Sequence, residues 1–144
     1  MAGLLLDTNA LIWLLSGEPM AEAALFAIAE AQGENQLFVS PISAWEAALA
    51  QQKPNPARRP NLNGADAATW FRRGRRNIGA RLATISQAIA LEAARVPAIY
   101  GNGDPGDCFL IATARIRQLA LVTRDGLIGD LVDREPGYLA VIRC

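Results

Sequence analysis

The sequence contains no histidine. That excludes imidazole as a general base and His-ligated zinc. Cysteine occurs twice, at Cys108 and Cys144, without metal-ligand spacing and without a disulfide framework. A reducing cytoplasm is the compartment this usage fits. Lysine is nearly missing too: Lys53 is the single lysine among 14 basic residues, so the rest are arginine. Net charge is zero, so the charge balance by itself names no partner. No membrane-length apolar run occurs. Residues 4–15 are apolar but are interrupted by Asp7, Thr8 and Asn9, and are too short to span a bilayer. They do not read as a signal peptide, because no positive charge precedes them.

What is present describes a well-cored chain. Its 144 residues fit one domain, with 51% hydrophobic and 19% charged residues. A chain of this size buries roughly 68–70% of its unfolded surface, enough for a core without staples. The arginines are unevenly spread: Arg72, Arg73, Arg75, Arg76 and Arg81 fall within ten residues. Guanidinium forks match phosphate bidentately, so this cluster is a candidate RNA-binding surface; a solvated helix face is the alternative.

Strands and helices alternate along the pattern. Residues 3–6 read as a buried strand, 10–15 as a helix and 20–31 as an Ala-rich helix closed near Gly33. Residues 37–39 form a strand. Ser40 and Pro41 then supply a helix cap and first position, with the helix running to about Gln52. Residues 53–64 (KPNPARRPNLNG) form a loop. A helix is expected over 66–76, a short strand over 81–84, and a helix over 86–95 stopped by Pro97. Residues 105–118 give a helix, 119–123 a strand, 126–131 a short helix and 138–142 a last strand. This order implies an α/β fold with a mainly parallel sheet covered on both faces. In such folds the working site lies beyond the carboxyl ends of the strands.

Four acids sit in telling places. Asp7 follows the apolar run Leu4, Leu5, Leu6, and Asp125 follows the run ending at Thr123. Both emerge at carboxyl ends of strands, although Asp7 also suits a helix cap and Asp125 a turn before Gly126. On the helix from Pro41, Ile42, Trp45 and Leu49 make an apolar stripe, and Glu46 lies about 40° from Ile42. A carboxylate there needs a metal or an ion-pair partner such as Arg. Asp107 heads the stripe Leu110, Ile111, Ala114, in a first turn where the helix dipole also favours an anion. Four carboxylates gathered at one sheet edge repel each other unless a cation joins them. An all-oxygen donor set selects hard ions such as Mg²⁺ or Mn²⁺, which serve phosphoryl chemistry.

The segments LLLDTNALIWLL, VSPISAWEAALAQQK and GDPGDCFLIATARIRQLALVTRD together resemble the PIN-domain family, most of all VapC-type toxins of bacterial toxin–antitoxin pairs. The likeness runs through nearly the whole chain, read as one PIN domain over 1–144. It implies a three-layer α/β/α fold and an endoribonuclease using Mg²⁺ or Mn²⁺. It also implies a cognate antitoxin that blocks the site, and a homodimer. Carried over by motif, the acids are Asp7, Glu46, Asp107 and Asp125. Asp104 matches the first Asp of a DPxD segment and takes a supporting role beside Asp107. The histidine that often precedes that Asp is missing, with Asn102 nearby instead. Asn9 and Thr123 are supporting polar residues.

Single-stranded RNA in a loop is the expected substrate, because unpaired strands can enter a narrow acidic cleft, and the resemblance implies hydrolysis that leaves a 5′-phosphate and a 3′-hydroxyl. A PIN-fold housekeeping nuclease and a catalytically silent partner-binding domain are the alternatives within the fold. An aspartyl phosphatase also begins with Asp after its first strand, but it needs an acid two residues on, where this chain has Asn9, and a lysine at the phosphate. A receiver-like domain needs that lysine as well.

Overall fold

The computed structural model describes residues 3–144. In chain order the elements are β1 (Leu4–Leu6), α1 (Thr8–Ser16), α2 (Glu22–Gly33), β2 (Leu37–Val39), α3 (Pro41–Gln51), α4 (Ala67–Asn77), β3 (Arg81–Leu82), α5 (Gln87–Tyr100), α6 (Pro105–Arg117), β4 (Ala120–Thr123), α7 (Gly126–Arg134) and β5 (Val141–Arg143). A single 3₁₀ turn, Pro56–Arg58, interrupts the loop between α3 and α4.

The five strands form one sheet in the order β3-β2-β1-β4-β5. Every pairing is parallel. Alternation along the strands separates two cores, as a period of two requires. Leu5, Phe38 and Leu121 face α5, α6 and α7. Leu4, Leu6, Leu37, Val39 and Val122 face the opposite way, onto residues from α1 to α4. The result is the expected three-layer α/β/α sandwich. No helix among the described residues is long and apolar enough to cross a membrane.

The strand order reverses between β1 and β4, because the chain first builds outward to β3 and then returns to the other side of β1. That reversal opens a crevice at the carboxyl ends of β1 and β4, where open α/β sheets place ligands.

Three local expectations need correction. Pro97 does not stop α5, which continues to Tyr100 and closes on Gly101 in the left-handed conformation. A proline forfeits one helical hydrogen bond. Here the following turn is held by burial of Tyr100 and by its bond to Asp107. Second, of the expected inward stripe Ile42, Trp45 and Leu49 of α3, Ile42 alone packs against the core. Trp45 and Leu49 are 45% and 47% exposed, whereas Ser43 and Ala47 are fully buried. Small residues on that line let α3 pack closely, so size decided the inner face over hydrophobicity. Third, the strands at residues 81–82 and 141–143 are shorter or later than their apolar runs, since both lie at the sheet edges.

Candidate metal centre and cleft

Asp7 caps α1, its Oδ1 accepting from the Ala10 amide at 2.7 Å. Its own amide donates to the Val122 carbonyl, which fixes it to β4. Asp125 caps α7 by accepting from the Leu127 amide at 2.8 Å. Asp104 caps α6 and accepts from the Asp107 amide at 3.0 Å. The capping reading of Asp7 is therefore correct; Asp125, expected in a turn, and Asp104, expected in a supporting role, are helix caps as well, and capping coexists with their place in the cleft. Three helix amino ends, those of α1, α6 and α7, carry acids, and their dipoles offset some of the crowded negative charge.

Glu46 and Asp107 are held differently. Thr8 Oγ1 donates to Glu46 Oε1 at 2.5 Å, and Thr8 also pairs with the buried Ser43 hydroxyl at 3.0 Å. Tyr100 donates its phenolic hydrogen to Asp107 Oδ2 at 2.8 Å. Gly106 admits Glu46 to the first turn of α6: a Cβ on that glycine would stand 2.3 Å from Glu46 Oε2. Thr8, Tyr100 and Gly106 were not foreseen from the sequence. Thr8 had only its place beside Asp7 as a signal. Tyr100 and Gly106 acquire meaning through the packing of α5 and α3 against α6.

All four acids, with Asp104 and the exposed Asn9, line one open cleft of about 600 Å³. Buried Thr123 stands behind it, its hydroxyl accepting from the Asp125 amide at 3.1 Å and lying beside the Asp7 carboxyl. None of the four acids is ion-paired among the described residues. The arginine partner considered for Glu46 is therefore not there. In Glu46, Asp107 and Asp125 one carboxylate oxygen is tied to the protein. The other has no protein hydrogen bond among the described residues.

Burial and mutual repulsion perturb these groups. The Asp107 carboxyl is pushed up to about 6, first by burial, then by Asp104, Asp125 and Glu46, against the lowering effect of Tyr100. Asp7 is raised by burial and by Asp125, opposed by Thr123 and the Ala10 amide. Glu46 is raised by burial and by Asp104 and Asp7, opposed by Thr8. Such strain is relieved by a cation.

The acids are looser than a closed cage. Among the described residues no three close on one point. That corrects the expectation of four carboxylates packed within a few ångströms. An open set of oxygen donors, each half-committed, still fits Mg²⁺, which keeps several waters and needs one or two direct carboxylates. The donor chemistry and the open cleft fit such an ion.

The arginine cluster lies elsewhere. Arg72, Arg73, Arg75, Arg76 and Arg81 do not line the cleft. Arg81 instead stacks over Phe38, 5.0 Å from its ring centre. The basic residues that do line the cleft are Lys53, Arg58 and Arg59, from the loop after α3.

Fold and cleft together define a parallel α/β domain with an acidic centre at its topological switch point. Residues 4–131 match the PIN domain profile, and the chain belongs to the PIN domain family. No curated protein matches the sequence. Among solved structures, a chain of a toxin–antitoxin complex from Klebsiella pneumoniae is 24% identical, with a TM-score of 0.58, covering 97% of this chain and 96% of that one. A chain of DNA-bound VapBC from Salmonella typhimurium is 17% identical, with a TM-score of 0.65, covering 99% and 98%. A chain of VapBC2 from Rickettsia felis, bound to a fragment of promoter DNA, is 10% identical, with a TM-score of 0.66, covering 97% of each. At these identities the likeness is one of fold.

Proposed function

We propose that the protein is a Mg²⁺- or Mn²⁺-dependent endoribonuclease, the toxin of a toxin–antitoxin pair. One observation carries this reading: acids from four separate segments line one cleft at the switch point without a single ion pair among the described residues. Carboxylates crowded in that state, with Asp7 buried and Glu46, Asp107 and Asp125 half-buried, call for a cation. Family membership supports nuclease chemistry, and the toxin–antitoxin neighbours support a cognate antitoxin as partner. A homodimer and a cytoplasmic location belong to the same reading, with residues 1–144 as one PIN domain.

Asp7, Glu46, Asp107 and Asp125 would hold the ion, with Asp104, Asn9 and Thr123 in support. When bound, the ion supplies charge for the scissile phosphate and lowers the pKa of water. Tyr100 and Thr8 orient Asp107 and Glu46 through one oxygen each and leave the other without a protein hydrogen bond among the described residues. Asp7 is held by the amino end of α1, which fixes its carboxylate in the wall of the cleft. Hydrolysis that leaves a 5′-phosphate needs no imidazole, in keeping with the composition.

The phosphatase reading is weaker. Lys53 does line the cleft, which that chemistry would welcome, but Asn9 occupies the place of its acid. Purified protein should cleave unstructured RNA with Mg²⁺ or Mn²⁺ and stop doing so with EDTA. Asp7→Asn should abolish cleavage, and undiminished cleavage by that variant ends the proposal.

A further inference from the structure

The cleft is not acidic throughout. Its wall carries Trp45, 45% exposed, with Leu49 on the next turn of α3. Its rim carries Lys53, Arg58 and Arg59. None of these three cations is in a salt bridge among the described residues. Trp45 has no aromatic or cationic stacking partner among them either. Trp13, on the facing helix, differs: Arg124 covers its ring at 4.0 Å. Arg124 is itself held by the carbonyls of Pro19 and Cys144.

The rim is tied down. Arg59 Nε donates to the Lys53 carbonyl at 2.9 Å, and Gln51 Nε2 donates to the Pro60 carbonyl at 3.3 Å. Asn55 caps the 3₁₀ turn by accepting from the Ala57 amide, and Leu62 is buried in the core below. Positive charge without an ion pair among the described residues thus stands on a tethered loop that lines the same cleft as the open indole.

We propose that Trp45 and the Lys53–Arg58–Arg59 rim form a nucleotide subsite next to the acidic centre: Trp45 stacks one unpaired base of single-stranded RNA, and the rim holds the adjoining backbone phosphate. The charge order supports RNA over a protein ligand. A polyanion needs cations wherever its phosphates lie outside the metal centre, and every base has a face for an aromatic ring. A cleft of about 600 Å³ falls within the size range of pockets that enclose small ligands. The subsite rests on the nuclease reading for its substrate, and it adds the residues that select unpaired over duplex RNA.

The test uses a fluorescent, unstructured RNA oligonucleotide and the Asp7→Asn protein with Mg²⁺, so that binding is read without cleavage. Adding Trp45→Ala should weaken binding roughly 5- to 150-fold, the range for loss of one stacked base. Trp45→Phe should restore most of it. An oligonucleotide with one abasic position, moved along the strand, should reach a position where the Trp45→Ala penalty disappears. Arg58→Ala should lower the slope of log K against log salt by about 0.7. Trp45 is exposed, so its variants should melt within a few degrees of the parent. No RNA binding by the Asp7→Asn protein overturns the proposal. So does equal binding by Trp45→Ala, which would give the indole to a protein partner. The two readings separate cleanly. Trp45-dependent binding without cleavage by the unsubstituted protein defeats the nuclease and keeps the subsite. Asp7-dependent cleavage indifferent to Trp45→Ala does the reverse.

Discussion

The hydroxyl of Tyr100, at the last residue of α5, donates to Oδ2 of Asp107 in the first turn of α6, over 2.8 Å. This bond orients an acid that burial and neighbouring carboxylates would otherwise drive toward its neutral form. Tyr100→Phe keeps the ring and deletes the donor. Mn²⁺ affinity measured by calorimetry should fall about 10- to 100-fold, as for loss of a partner that orients a metal ligand. The rise of cleavage rate with pH should also move to higher pH. Unchanged affinity with an unchanged profile would show that the bond is only structural.

Stability without metal should depend on pH in an unusual direction. The Asp107 carboxyl lies at about 6 against an ordinary 3.8, so between those values the folded state binds more protons than the unfolded chain. Its contribution to stability therefore falls as pH rises through that window. Asp7 and Glu46 are displaced the same way. In EDTA, Asp107→Asn should melt above the parent protein at about pH 7, and the gap should narrow as pH falls through about 6 and close only below 3.8. Added Mg²⁺ should raise the parent's melting temperature and leave the Asn variant nearly unmoved. A gap that is constant with pH would count against the electrostatic account.

Gly106 separates activity from stability. An alanine there would press its Cβ to 2.3 Å from the Glu46 carboxylate, the mobile end of a side chain that can swing aside. The helix itself gains from the exchange by up to about 1 kcal/mol. Gly106→Ala should thus melt at or slightly above the parent's temperature and lose at least about tenfold in cleavage rate, since Glu46 is displaced. A full-rate variant would remove Glu46 from the centre.

The two arginine groups make opposite predictions. Arg72 and Arg76 are exposed on α4, outside the cleft. Arg72→Ala with Arg76→Ala should leave the salt dependence of RNA cleavage by kcat/KM close to that of the parent, while Arg58→Ala should flatten it. The reverse pattern would return RNA binding to α4.

Much of this was readable before any coordinates. Asp7 and Asp125 follow apolar runs, and a strand's carboxyl end is the working end of a parallel sheet. The Ser40–Pro41 start of α3 is written in local capping chemistry. The inner face of α3 was misread because hydrophobicity marked Trp45 and Leu49, while close packing chose Ser43 and Ala47. The end of α5 was misread because Pro97 is a local signal and Tyr100 is held by tertiary contacts.

By itself the chain's sequence determined the parallel sandwich, the kind of donor atoms available and the strand ends that carry acids, since these follow from short-range periodicity and side-chain chemistry. Tertiary structure alone decided which neutral groups hold each carboxylate, that Gly106 makes room for Glu46, and that Lys53, Arg58 and Arg59 rim the cleft in place of the denser arginine cluster. Those outcomes depend on how helices distant in sequence pack against one another, and packing is a property of shapes that no local pattern encodes.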